Sequence, residues 1–183
     1  MKASILGPTN MKKFSNIIGK SVNEIENIAK NIGKILADNK IQLVTMFNYS
    51  GMLKVIGDVY KEKGGKLEIL YTENDYDWDT DIYMDNLKEA DIKTKKDSWH
   101  DLLLSLVKEV DIVICAGLSA GGLTELGYMK WNFQENKGNA KALIGIKELL
   151  RNGELPPEIS YDLGNVVSVV SIKELDKTLK KVL

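Results

Sequence analysis

The chain has 183 residues, of which 25 are Lys or Arg, 26 are Asp or Glu and 44% are hydrophobic. This length is enough for one well-packed domain, because a domain of about 150 residues buries roughly two-thirds of the surface that its unfolded chain exposes. The formal net charge of −1 argues against a nucleic-acid partner, since binding a duplex depends on a basic excess that displaces counterions. A single Cys and a single His exclude an internal disulfide and a structural zinc site.

Two apolar periodicities alternate along the chain, one typical of buried strands and one typical of amphipathic helices. The first helical pattern opens on Ser21 and Glu24, the spacing of a capping box. The predicted strands are 3–6, 41–45, 66–71, 111–116, 142–146 and 166–170, and the predicted helices are about 22–36, 50–63, 98–109, 122–135 and 171–183.

Strands that alternate with helices of ten or more residues predict βαβ units and a parallel sheet covered on both faces. We therefore expect one Rossmann-like domain over residues 1–183, built as three α/β/α layers around a mostly parallel sheet. Two segments, 72–92 and 152–164, interrupt the alternation, and we predict that they are irregular.

Neither a targeting segment nor a membrane span is predicted. Residues 1–10 lack the apolar core and cleavage site of a signal peptide, and no stretch reaches the ~18 apolar residues that a span needs. We expect a cytoplasmic protein without a membrane partner. Because Arg151 is the only arginine, an anion would be held mostly by backbone N–H groups, hydroxyls and lysines.

The loop after the fourth predicted strand is the strongest candidate site, because ligands of parallel sheets bind outside the carboxyl ends of the strands. It reads AGLSAGGLTE over residues 116–125. Its small residues leave backbone N–H groups unobstructed at the start of a helix, which is how phosphates are held. The plain alternative is a tight turn that needs glycine only for its backbone geometry. We favour an anion site formed by Gly117, Ser119, Gly121 and Gly122.

The loop after the first strand is the second candidate. Gly7 and Pro8 place the chain in a turn, and Thr9 and Asn10 offer a hydroxyl and an amide to an anion. An ordinary proline turn with a side-chain cap explains the same residues equally well.

The residues from Gly121 to Glu125 resemble the second half of PGGxGTxxE, a signature of the SLOG superfamily. This superfamily includes the LOG phosphoribohydrolases, once labelled lysine decarboxylases, and the molybdenum-cofactor carrier proteins. Gly51 and Met52 match the end of a second motif, GGxxGxM, whose leading glycines are replaced here by Phe47 and Asn48. The chain is similar to a divergent member of this superfamily.

The resemblance implies a nucleotide-sized ligand site. It places Gly51, Met52 and Thr124 with the phosphate-binding residues and Glu125 against a ribose or its N-glycosidic bond. A carboxylate there can bind ribose hydroxyls or stabilise the cation that forms as the bond breaks. Without the resemblance, Glu125 is simply an acid that complements the helix dipole.

The family's enzymes carry an arginine that works with this glutamate, and the corresponding region here offers only lysines and His100. We therefore expect a protein that binds a nucleotide or phosphoribosyl-type ligand without efficient turnover and requires no cofactor. One alternative is a phosphoribohydrolase in which Glu125, Lys96 and His100 are catalytic. A further alternative is a carrier of the molybdenum cofactor. The resemblance also implies a homodimer or larger homo-oligomer, for which 129–133 is a candidate interface.

An acidic and aromatic segment over residues 73–81 does not match a calcium loop, because the required Gly and Glu positions are occupied by Thr80 and Asn86. We interpret it as a flap or a dimer-edge segment. A solvated acidic loop is the plain alternative, and a divalent-metal role is disfavoured.

Overall fold

A seven-stranded sheet forms the centre of the molecule. The computed structural model describes residues 1–73, 81–135 and 137–182, without the side chains of residues 81 and 82. Every strand pairs in parallel with its neighbours, in the order β4-β3-β2-β1-β5-β6-β7, so the predicted Rossmann-like α/β class is confirmed. The strands are β1 Lys2–Leu6, β2 Gln42–Met46, β3 Leu67–Tyr71, β4 Ile92–Lys95, β5 Ile112–Cys115, β6 Ala142–Ile146 and β7 Val167–Val170.

Helices cover both faces of the sheet. One layer contains α2 with its neighbours α1, α3 and α8, and the other contains α6 with its neighbours α5 and α7. Right-handed crossovers require two layers, because β1 to β4 extend the sheet in one direction and β5 to β7 in the other. The helices are α1 Met11–Ile18, α2 Val22–Asp38, α3 Gly51–Glu62, α4 Asp81–Met84, α5 Trp99–Lys108, α6 Ala120–Gln134, α7 Pro157–Leu163 and α8 Leu175–Val182.

Central strands and helix caps agree with the sequence patterns that predicted them. All residues of β5 and β6 are buried, as expected of strands covered on both faces. At the start of α2 the Ser21 hydroxyl accepts a hydrogen bond from the Glu24 N–H, and the Glu24 carboxylate accepts one from the Ser21 N–H. The capping box is therefore present. Within the described residues, no helix is both long enough and apolar enough to cross a membrane.

Three elements correct the sequence-based interpretation. The interruption at 72–92 is followed by a short edge strand, β4, which pairs with β3. Its charged and mostly exposed residues give no signal of a buried strand. The helix α1 begins directly after the first loop, where no helix was predicted, and α7 lies inside the stretch 152–164 that was predicted to be irregular.

Close packing between α2 and α3 depends on a glycine in the middle of a helix. A Cβ atom added to Gly33 would lie 2.3 Å from the carbonyl oxygen of Ile56 and 3.2 Å from the backbone nitrogen of Tyr60. No side chain fits there without moving the two helices apart. Gly127 on α6 is the opposite case, since a Cβ atom added there meets nothing within 4 Å.

We expect Gly33→Ala to lower the free energy of unfolding by about 1–3 kcal/mol through overpacking, although alanine is the better helix former. The matched control, Gly127→Ala, should raise it by about 0.4–1 kcal/mol, because alanine restricts the unfolded chain. Urea unfolding of both variants measures the difference. Equal stability of the two variants would contradict the packing assignment.

Candidate functional site

A cavity of about 470 Å³ opens at the carboxyl edge of the sheet. It lies where β1 has β2 on one side and β5 on the other, the position at which the loops of a parallel sheet diverge and leave room for a ligand. Its lining comes from the first loop, α1, the residues around the end of β2, the starts of α3 and α5, and the loop into α6: Ile5, Leu6, Gly7, Pro8, Thr9, Asn10, Lys13, Phe14, Ile17, Met46, Asn48, Leu53, Trp99, Leu103, Leu118, Ser119, Ala120, Gly121, Gly122 and Glu125.

The start of α6 forms one wall of this cavity. Ser119 is the N-cap, and its hydroxyl accepts a hydrogen bond from the Gly122 N–H at 3.2 Å. The first N–H that donates within the helix is that of Leu123, to the Ser119 carbonyl, so the N–H groups of Ala120 and Gly121 before it remain available to a ligand. No acidic residue lies in this first turn. The partial positive charge of the helix start is therefore open to an anion.

A second helix start, that of α1, lies on the same cavity. The side chain of Asn10 caps this helix by accepting a hydrogen bond from the Lys13 N–H at 2.9 Å. Lys13 itself is exposed and lines the cavity, and its ammonium group forms no ion pair with any residue that the structure describes. The cavity thus combines two helix starts with one available cation.

Glu125 is the acid of the cavity, and only 6% of its surface is exposed. Its Oε2 lies close to the start of α6, 4.0 Å from the Cβ position of Gly122. Among the described residues no group donates a hydrogen bond to its carboxyl, and burial raises its pKa to about 8. As the sixth residue of α6 it lies beyond the first turn, where an acid complements the helix dipole. At neutral pH the carboxyl is mostly protonated.

Four of the predicted ligand residues lie outside the cavity lining. Gly51 and Met52 support the first loop, because a Cβ atom at Gly51 would lie 2.1 Å from the Thr9 carbonyl oxygen and the Met52 N–H donates to the Pro8 carbonyl at 3.2 Å. Gly117 has a positive φ and faces Phe14 of α1, whose ring a Cβ atom would approach to 2.5 Å. The fourth is Thr124, which is exposed and donates its hydroxyl hydrogen to the Ala120 carbonyl.

The two alternative catalytic residues also lie outside the lining. His100 is exposed on α5. The Lys96 ammonium lies 2.7 Å from a carboxylate oxygen of Glu109, and its side chain is 11% exposed. Neither side chain lines the cavity with Glu125.

Cys115 is fully buried, which raises the pKa of its thiol to about 12.

Sequence reasoning missed Trp99, Leu53 and Leu103 as cavity residues. Asn48 was noticed only as a replacement for a family glycine. No local pattern distinguishes these side chains, because each faces the cavity only through the way its helix or loop crosses the sheet edge.

Metal ligands and the acidic segment give little further information. Over residues 1–73, 81–135 and 137–182, no three His, Cys, Asp or Glu side chains are grouped closely enough to hold a metal ion. Most of the acidic and aromatic segment that was interpreted as a flap lies outside the described residues.

Comparisons with known proteins support the fold. No protein-family model matches the sequence, and no curated protein matches it. The molybdenum cofactor carrier protein of Chlamydomonas reinhardtii is similar in structure, with a TM-score of 0.69 and 14% identity over 100% of this chain and 98% of that chain. The fold is shared. The molybdenum cofactor binding protein of Rippkaea orientalis gives a TM-score of 0.62 and 16% identity over 100% and 98%.

A third similar structure, DNA processing protein A of Streptococcus pneumoniae, has a TM-score of 0.50 and 13% identity, and the match covers 95% of this chain and 60% of that chain. At these identities the likeness establishes the Rossmann-like fold and does not identify a ligand.

The raised pKa of Glu125 predicts a pH-dependent stability. The folded-state pKa of about 8 exceeds the unfolded value of about 4.3, so between these values the unfolded chain releases a proton that the folded chain keeps. The free energy of unfolding therefore falls as pH rises, by up to about 1.4 kcal/mol per unit.

We expect the stability of Glu125→Gln relative to the natural chain to rise by about 3 kcal/mol between about pH 5.5 and about pH 8. Urea unfolding of both proteins at both pH values measures this difference, in which the titration of all other groups cancels. A difference that is independent of pH would show that Glu125 titrates normally.

Proposed function

We propose that this chain binds a phosphorylated small molecule in the cavity, with the phosphate at the starts of α6 and α1. The observation that carries this proposal is the convergence of two helix starts and Lys13 on one cavity at the point where the strand order reverses. Uncapped N–H groups, a helix dipole and a nearby ammonium are the groups that hold phosphate in proteins. The remaining volume takes the rest of the ligand.

The proposed ligands are the molybdenum cofactor and a nucleotide. Two proteins with the same fold over nearly their whole length are described as carrying or binding the molybdenum cofactor, and this cofactor contains a phosphate group. A nucleotide or phosphoribosyl compound offers the same phosphate with a similar size. In either case Ala120 and Gly121 would donate their N–H groups to the phosphate, and Glu125 would face the next part of the ligand.

Binding without turnover is favoured over hydrolysis of an N-glycosidic bond. A carboxyl whose pKa is raised to about 8 has to lose its proton before it can stabilise a positively charged transition state or activate water as a base. His100 and Lys96 do not line the cavity. The hydrolase remains a testable alternative through Glu125 alone.

Gly121→Ala tests the phosphate site without disturbing the fold. A Cβ atom at this position has only the Ser119 hydroxyl nearby, at 3.7 Å, so the variant should fold and be as stable as Gly127→Ala. The added methyl group occupies space that the phosphate needs, and we expect affinity to fall at least about tenfold, or ~1.4 kcal/mol. Gly127→Ala lies on the same helix outside the cavity and should bind normally.

Titration calorimetry with ribose 5-phosphate, adenosine 5′-monophosphate and molybdopterin measures these affinities. If Gly121→Ala binds these ligands with unchanged affinity, the phosphate does not bind at the start of α6. Product analysis of each binding mixture separates the two activities. A ligand recovered intact supports binding alone, and release of free base with ribose 5-phosphate would establish the hydrolase.

We also propose that the chain self-associates through the outer faces of α6 and α7. Trp131 and Tyr161 are 60% and 88% exposed. Each is the chain neighbour of one partner of the ion pair between Lys130 and Asp162 at 2.7 Å, which joins α6 to α7. Large exposed aromatic side chains of this kind are typical of protein interfaces. Light scattering should give twice the chain mass of 20.5 kDa, or a larger multiple. A monomer at micromolar concentration would defeat the proposal.

A further inference from the structure

We propose that Glu125 meets the ligand as a neutral carboxylic acid, so that binding of an anion requires the proton of this carboxyl and loss of the proton releases the anion. This inference rests on the proposed phosphate site and concerns the regulation of that site by pH. A buried carboxyl without a partner among the described residues lies on the same cavity as the two helix starts that would hold the phosphate.

The carboxyl of Glu125 lies beside the proposed phosphate position. Its Oε2 is 4.0 Å from the Cβ position of Gly122. The N–H groups that would hold the phosphate belong to Ala120 and Gly121, the two residues before Gly122. All four residues line the cavity. A phosphate bound at the start of α6 therefore has this carboxyl as a near neighbour.

No group of the described residues compensates a negative charge on this carboxyl. Glu125 is 6% exposed, and within the part of the chain that the structure describes it accepts no hydrogen bond and forms no ion pair. A buried carboxyl in this position keeps its proton, because desolvation disfavours the charged form. Burial accordingly raises the pKa of Glu125 to about 8.

The ionisable groups around Glu125 are few. Among the described residues, Lys13 of α1 is the only other ionisable side chain that lines the cavity. Cys115 at the end of β5 is affected by the charge of Glu125, but burial raises the pKa of its thiol to about 12, so it stays neutral. Of the two helices packed against α6, α5 lines the cavity only with Trp99 and Leu103, and α7 does not line it. A bound anion thus meets one acid among these residues.

Ionisation of Glu125 opposes the binding of an anion in two ways. A carboxylate repels a phosphate in the same desolvated cavity, since a nearby like charge disfavours the ionised form of both groups. Ionisation also removes the O–H group, which in the neutral carboxyl donates a hydrogen bond to an oxygen of the ligand. The protonated chain is therefore the form that binds, and the affinity follows its population.

This population changes between pH 7 and pH 9. With a pKa of about 8, about nine-tenths of the carboxyl is protonated at pH 7 and about one-tenth at pH 9. The apparent dissociation constant is the intrinsic constant divided by this fraction, so the affinity falls about tenfold over the range. A phosphate monoester loses its second proton near pH 6, so the charge of the ligand changes little above pH 7.

Titration calorimetry with ribose 5-phosphate and adenosine 5′-monophosphate at pH 7 and pH 9 tests this dependence. In the natural chain we expect the affinity to fall about tenfold. Calorimetry in two buffers with different heats of ionisation should show that about one proton is taken up per bound ligand at pH 9. Glu125→Gln keeps an uncharged donor of similar shape, so it should show neither the proton uptake nor the fall in affinity.

Glu135→Gln is the matched control, because Glu135 is an exposed glutamate at the end of the same helix and lies outside the cavity lining. This variant should bind both ligands with the pH dependence of the natural chain. A role of Glu125 in the structure alone would not produce a proton uptake that disappears in Glu125→Gln and persists in Glu135→Gln.

Three results would overturn the proton linkage and leave the phosphate site standing. The first is an equal affinity of the natural chain at pH 7 and pH 9. The second is a fall in the affinity of Glu125→Gln as steep as that of the natural chain. The third is unfolding of the natural chain at pH 9, seen by circular dichroism, since the lower affinity would then be an effect of stability. If neither ligand binds the natural chain at either pH, the proposed function fails and the linkage fails with it.

Discussion

The site depends on the reversal of strand order at β1. All the strands run in parallel, and crossovers between parallel strands are right-handed in nearly all proteins, so crossovers that extend the sheet in opposite directions place their helices on opposite faces. The loops after β1 and β5 therefore turn away from each other. The cavity between them is a consequence of this topology, and the helix starts on either side bring their free N–H groups to it.

Burial of one acid sets the chemical character of that cavity. Glu125 lies beside a helix start that carries no other acid, and its carboxyl has no hydrogen-bond donor among the described residues. Desolvation favours its neutral form. A neutral carboxyl leaves the positive potential of the two helix starts and Lys13 uncancelled, so a negatively charged ligand meets an attractive field at neutral pH.

The sequence was informative wherever a structural requirement was local. Buried strands such as β5 and β6 need continuous apolar residues, and the capping box at Ser21 needs two residues at a fixed spacing, so these features could be predicted. The glycine-rich loop at residues 116–125 could be recognised from the sequence for the same reason. In contrast, β4 consists of exposed and largely polar residues at the sheet edge, and its pairing with β3 has no local signature. The cavity role of Trp99 depends on the crossing of α5 from β4 back to β5, which involves distant parts of the chain.

The contact between Gly117 and Phe14 has a thermodynamic consequence. Through it, the loop after β5 packs directly on α1, while Gly51 allows α3 to pack on the carbonyl of Thr9. The two loops that carry the free N–H groups therefore pack against one another and against the core. The contacts are so close that no side chain would fit at Gly117 or Gly51. A ligand that binds between them has little chain entropy to remove, because the loops are already ordered, and more of its contact energy is retained as affinity.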